Sequence, residues 1–186
     1  TTNGDILYGT GSGALARLGI GSSAQILTVA SGIPSWATPA SSTPVAKGVS
    51  VYNTVGYTLA NNTYTALTFN SEEFDTDAFH STATNTSRLT VPAGLGGKYS
   101  IKAQLLFNVN ATGFRNMKIY KNGVAVRASV EAVPSSTIYV GLVMSTDLDL
   151  VATDYIELFA YQNSGGNLTV YPTQADGQFS MMNWGS

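Results

Sequence analysis

Between residues 98 and 110 the chain alternates. Tyr99, Ile101, Ala103, Leu105, Phe107 and Val109 fall on one face, and Ser100, Lys102, Gln104, Asn108 and Asn110 on the other. A period of two sets one apolar row along one side of a pleated strand, and no helix reproduces it. From Gly48 onward the composition follows the same grammar, with short runs of Val, Tyr, Thr, Phe, Ile and Leu parted by Asn, Gly, Asp and Pro. Strands are predicted at 49–59, 64–70, 87–91, 98–110, 115–121, 124–131, 137–145, 154–162, 167–171 and 178–184. Asn122-Gly123 joins two of them as a hairpin, being the pair favoured where both turn residues need positive φ. So many strands with almost no helical pattern give an all-β sandwich or jelly roll.

Two of these strands are apolar on both faces. Ile156, Leu158 and Ala160 oppose Tyr155, Phe159 and Tyr161, while Phe179 and Met181 oppose Met182 and Trp184. The second face lies either under a loop or sheet edge, or against a neighbouring subunit.

Residues 1–36 pose a different problem. They are rich in Gly and Ser, with glycines at 4, 9, 11, 13, 19, 21 and 32 that interrupt helices and shorten strands. Yet Ile6, Leu7, Tyr8, Leu15, Leu18, Ile20, Ile26, Leu27, Val29, Ile33 and Trp36 all favour burial. So short a unit cannot cover that much apolar surface by itself. The expectation is a Gly-rich extended β stem held by copies of itself. Its contacts would come from Ile6, Leu7, Tyr8, Leu18, Ile20, Ile26, Leu27, Val29 and Trp36. Residues 37–47 are small, Pro-containing and aperiodic, and read as a linker to a head at 48–186.

Charged residues make up 11% of the 186, against roughly 25% in an average soluble domain. Extended subunit interfaces account for that economy. A net charge of −2 supports neither nucleic acid nor a membrane surface as partner. No apolar run reaches the roughly 20 residues of a membrane span. Without cysteine there are no disulfides and no thiolate metal sites. Thr1, with no basic and apolar leader after it, reads as a processed or truncated start rather than a signal peptide.

Catalytic chemistry finds little footing. Gly9-Thr10-Gly11-Ser12-Gly13-Ala14 has the look of a dinucleotide-binding turn, but Gly19 and Gly21 break the helix that such a site needs. His80 is the only histidine, which excludes a His-pair zinc hydrolase, and no G-x-S-x-G presents a nucleophile. His80 reads as a solvated loop residue. Glu72, Glu73, Asp75 and Asp77 read as an acidic loop, with calcium binding or glycoside hydrolysis as the other uses of such carboxylates. Arg115, Lys118, Lys121 and Arg127 read as the wet face of a hairpin or as a contact to an anionic glycan. No enzyme, no cofactor and no metal site is expected.

Four ordered blocks stand in the first unit: Gly4-Asp5-Ile6-Leu7-Tyr8-Gly9, Leu15-Ala16-Arg17-Leu18-Gly19-Ile20-Gly21, Gln25-Ile26-Leu27-Thr28-Val29 and Pro34-Ser35-Trp36-Ala37. Together they resemble a module of tailed-bacteriophage fibre and virion-appendage proteins. Farther on come Phe74-Asp75, Arg88-Leu89-Thr90-Val91-Pro92-Ala93-Gly94, Gly97-Lys98-Tyr99-Ser100-Ile101, Asp154-Tyr155-Ile156-Glu157-Leu158 and Phe179-Ser180-Met181-Met182. These resemble the jelly-roll heads of complement globular domains and tumour necrosis factor relatives, which are typically compact trimers.

The resemblances imply a homotrimeric structural appendage on the surface of a virion. Residues 1–36 would meet other virion proteins, and the head would face a host-surface glycan or protein. Tyr139, Tyr161, Met182 and Trp184 are the expected trimer contacts. The alternative is a lectin-like or cytokine-like binding domain without a virion role.

Overall fold

Ser-Gly pairs decide the path of the amino-terminal segment. In the computed structural model, which describes residues 2–39, 46–128 and 138–184, β1 (Ile6–Gly11) pairs antiparallel with β2 (Ala14–Leu18). Likewise β3 (Ile26–Ala30) pairs with β4 (Ile33–Ala37). The turns are Ser12-Gly13 and Ser31-Gly32, with all four residues at positive φ, as a two-residue hairpin loop requires. A matching turn introduces each hairpin. The Asp5 N–H donates to Thr2 O at 3.2 Å and the Gln25 N–H to Ser22 O at 3.1 Å. In return, the Asp5 and Gln25 side chains accept from the N–H groups of Thr2 and Ser22. The segment is therefore one structural unit of about 20 residues used twice, with a bulge between Gly9 and Gly11 marking the extra residue of the first copy. The β structure expected of this segment takes the form of a pair of hairpins.

The chain divides into two compact units between Val45 and Ala46. None of residues 2–39 is buried. Trp36 gives the first unit its main internal tie, donating from Nε1 to Gly19 O at 2.7 Å with its ring against Gly21. Two-stranded hairpins of this kind are marginal alone.

The second unit holds β5 (Lys47–Tyr52), β6 (Tyr57–Leu59), β7 (Thr65–Ala66), β8 (Ser71–Asp75), β9 (Arg88–Thr90) and β10 (Gly97–Phe107). It continues with β11 (Arg115–Lys121), β12 (Val124–Ala128), β13 (Val140–Leu150), β14 (Tyr155–Gln162), β15 (Leu168–Tyr171) and β16 (Gln178–Asn183). The larger sheet runs β6-β15-β10-β16-β5-β8, with β13 flanking β10 along its full length. The smaller runs β12-β11-β14-β7, with β9 also paired to β14. The core lies between them. Tyr99, Ile101, Ala103, Leu105 and Phe107 of β10 face Met117 and Ile119 of β11 and Ile156, Leu158 and Ala160 of β14, all buried. This is the alternation read from the sequence, except that β10 stops at Phe107 and leaves Val109 exposed.

Four predicted elements change. Residues 49–59 form two strands because Asn53 leaves the ladder, its N–H donating to Pro172 O and its side chain to Thr68 O. Of 64–70, only Thr65–Ala66 pairs with β14. The strand expected at 137–145 begins at Val140 and runs on to Leu150. Residue 137 and the end of 124–131 lie outside the described residues. The expected acidic loop is corrected to edge strand β8 on β5, where charge on an exposed edge discourages foreign pairing.

Candidate interaction surfaces

The outward face of the larger sheet follows from register. Leu106 pairs with Gly141 and Tyr171, Ser100 with Met182, and Ser50 with Phe74, so these side chains point away from the core. Tyr139 meets Tyr171 edge-on at 6.1 Å. With Leu106 and Asp176 these rings line an open cavity of about 420 Å³. Met182 is half-buried, and Trp184 is exposed just past β16, its N–H on Lys98 O. Of the four expected trimer residues, Met182 lies in the larger sheet, while Tyr139 and Trp184 flank its strands β13 and β16.

Tyr161 belongs to the other. On β14 its ring packs at 4.7 Å from Tyr64 and 5.4 Å from Phe114. Beside it Tyr120 and Phe159 lie 4.1 Å apart. Lys118 sits over Tyr64, and Arg88 over Tyr155 at 4.0 Å. The smaller sheet thus presents an outward aromatic row edged by cations. Tyr155, Phe159 and Tyr161 are the second apolar face expected of this strand, and the β11–β14 register adds Tyr120 to it.

Among the expected stem contacts, Ile6, Tyr8, Leu18 and Trp36 are half-buried, whereas Leu7, Ile20, Ile26, Leu27 and Val29 are exposed. The only formal charges of the first unit, Asp5 and Arg17, face each other at 3.4 Å. Thr2 and Arg17 hold the Asp5 carboxyl below its usual value.

Two expectations about charged groups are overturned. His80 is buried, not solvated: its Nε2 donates to Thr86 O at 3.2 Å and its Nδ1 lies 2.8 Å from Glu72 Oε1. The ring therefore fastens the 76–87 loop to β8, helped by Asp75, which accepts from the N–H groups of Asp77, Phe79 and His80. Arg115 likewise leaves the wet face and is 0% exposed. Lys118 and Lys121 are half-buried and Arg127 is exposed, donating to Thr146. Among the described residues no three acidic or imidazole side chains converge as a metal would need.

Asp154 clamps the Asn122-Gly123 turn. Its carboxylate takes Lys121 Nζ at 2.8 Å, the Asn122 amide at 2.6 Å and the Val151 N–H at 2.9 Å. Burial pushes this carboxyl up, but the Lys121, Val151 and Asn122 donors together outweigh it and hold it below the ordinary carboxylate value. A depressed folded-state value means stability that is present above the unfolded value and lost as pH falls through the folded one. Asp154→Asn is therefore expected to cost about 1–3 kcal/mol at pH 7. It should also flatten the loss of stability below about pH 4, read from urea melts at a series of pH values.

No protein-family model matches the chain, and no curated protein matches it. Solved structures do. The globular domain of zebrafish complement 1qA matches with a TM-score of 0.52 at 13% identity, over 75% of this chain and 98% of that one. Murine APRIL at pH 8.0 matches with a TM-score of 0.55 at 10% identity, over 75% and 99%. An Eiger TNF from S. frugiperda matches with 0.55 at 10% identity, over 76% and 94%. At such identities the likeness is one of fold. The second unit has a jelly-roll sandwich fold similar to that of these structures.

Proposed function

We propose that this chain is a homotrimeric binding protein, lectin-like or cytokine-like, that associates through its larger sheet and turns its smaller sheet outward. One observation carries the reading. On a jelly-roll sandwich with a filled core, the outward side of the larger sheet and its ends still leave Phe74 39%, Tyr139 52%, Val143 66% and Trp184 66% exposed. Large apolar side chains left exposed on one sheet face, at both its ends and both its edges, make that face a candidate interaction surface. The first unit adds to the argument. Leu7, Leu15, Ile20, Ile26, Leu27, Val29 and Ile33 are exposed around a single neutralised ion pair, so copies of it can meet without charge repulsion. Sedimentation equilibrium of the full chain at micromolar concentration is expected to give three times the chain mass. A folded monomer there would refute the assembly.

A second reading makes the same trimer a bacteriophage virion appendage. Residues 1–36 would seat it on other virion proteins and the jelly roll would meet a host-surface glycan or protein. The four ordered blocks between Gly4 and Ala37 favour it, as does a first unit that lacks a core of its own. Quantitative mass spectrometry of purified particles, with copies in multiples of three, distinguishes it from the first reading.

A further inference from the structure

The loop that His80 fastens down roofs a cleft of about 150 Å³, lined by Phe79, Ser81, Thr84, Asn85, Arg88 and Thr90 among others, with no carboxylate in its lining. The cleft is rigid from below. The Asp75 and His80 contacts fix the loop's start, Thr86 O takes both the His80 ring and the Phe69 N–H, and the Thr90 N–H donates to Phe79 O at 2.7 Å. Arg88, at the edge of the cleft, is held in place. Its guanidinium stacks on Tyr155 at 4.0 Å, and its Nε lies 3.5 Å from Glu157 Oε1, an oxygen that also accepts from Ser87 Oγ at 2.7 Å. No side-chain hydrogen bond within the described residues engages the terminal guanidinium nitrogens, the Asn85 amide or the Thr90 hydroxyl.

We infer that this cleft binds a carboxylate-bearing sugar of an acidic glycan, the carboxylate pairing with the terminal nitrogens of Arg88. A planar guanidinium held from behind matches a carboxylate through two parallel hydrogen bonds. Thr84, Asn85 and Thr90 supply the mixed donors and acceptors that ring hydroxyls need. The aromatic row favours a glycan over an acidic peptide. Tyr155 shares its face with Glu157 and, by register, Tyr120 and Phe159 follow on the neighbouring positions, giving apolar platforms for further sugar rings. Glu157 offsets part of the Arg88 charge, so recognition rests on hydrogen-bond geometry and not on a broad positive field. Its salt dependence is accordingly shallow.

The inference rests on the reading of the jelly roll as a binding unit, and the test separates the two. The full chain is titrated with oligomers of glucuronic acid, oligomers of sialic acid, the carboxyl-reduced form of each, and polyglutamate. At least one acidic oligomer is expected to bind, with a tenfold or greater loss on carboxyl reduction and on Arg88→Gln, and partial recovery in Arg88→Lys. Raising salt from 0.05 to 0.2 M, conditions of the assay, should weaken binding by less than about threefold, unlike the much steeper fall of multi-charge polyanion contacts. Binding that survives Arg88→Gln or carboxyl reduction overturns the site, as does equal affinity for polyglutamate. If none of these probes binds while sedimentation of the full chain gives the trimer mass, the site fails and the proposed assembly stands. If the chain sediments as a folded monomer, that reading fails whatever the probes show.

Discussion

Arg115→Ala is expected to be the most damaging single substitution in the jelly roll, costing about 4 kcal/mol. The side chain is 0% exposed and has no acidic partner among its hydrogen bonds. Instead Nη1 donates to Thr112 O at 3.0 Å and Phe114 O at 3.2 Å, and Nη2 to Asn110 O at 3.0 Å, while Nε is buried without a partner. Burial pushes the guanidinium down from its ordinary value, so holding the charge already has a cost. What offsets it is the loop. Residues 110–114 turn at Gly113, φ +68°, where a Cβ would come within 2.2 Å of the Asn163 carbonyl, and the turn aims three carbonyls at one cation. Removing the guanidinium takes the donor from three partly buried or exposed carbonyls and leaves a cavity beside them. Arg115→Met refills the cavity but not the hydrogen bonds, and should recover about half the loss. Arg115→Lys keeps the charge but not the planar fork, and should also fall between. Thermal melts at fixed protein concentration check the order, with Arg115→Ala lower by roughly 10 °C. A melting point unchanged within error would show that the carbonyls find water instead.

Arg115 also shows where sequence reasoning stops. The clustering of Arg115, Lys118, Lys121 and Arg127 favours a wet face, whereas the alternation of β11 sets Arg115 on the core side with Met117 and Ile119. His80 was misread for a similar reason: its neighbours Ala78 and Ser81 resemble a solvated loop, and the ring's acceptors come from Glu72 and Thr86. What was legible depended on local pattern. The apolar rows of β10, β14 and β16 face the core as their period required, and Asn122-Gly123 turns where its backbone preference placed it. The same preference at Ser12-Gly13 and Ser31-Gly32 was present but hidden by the glycines around it. The acidic run of β8 concealed a strand, since edge strands tolerate charge that inner strands do not. The β14 side of the aromatic row is legible in the alternation of Tyr155, Phe159 and Tyr161, whereas its β11 partners and the Arg88 cleft arise from registers between strands distant in sequence.

Trp184→Asp should dissociate the assembly while leaving each protomer folded. Its backbone N–H closes the end of the larger sheet on Lys98 O, and an aspartate retains that bond. The indole itself is 66% exposed, so its loss opens no cavity, unlike the loss of its β16 neighbours Phe179 and Met181. Its worth therefore lies in whatever covers it. Under the proposed larger-sheet association the indole becomes an aromatic anchor, and such an anchor carries about 2–4 kcal/mol. The new carboxylate would sit next to Lys98 of β10, with Asp149 of β13 on that lysine's other side, and burying it in a contact adds a desolvation cost. The expected result is a protomer mass in sedimentation at concentrations where the parent chain is trimeric, with an unshifted far-ultraviolet spectrum. Tyr161→Asp serves as the contrast. Its ring packs against Tyr64 and Phe114 on the opposite sheet, so it should lower stability and leave the mass unchanged. If Tyr161→Asp dissociates the assembly and Trp184→Asp does not, the smaller sheet is the contact and the aromatic row is buried within it. The acidic-glycan site beside that row would then have to be abandoned along with the larger-sheet interface.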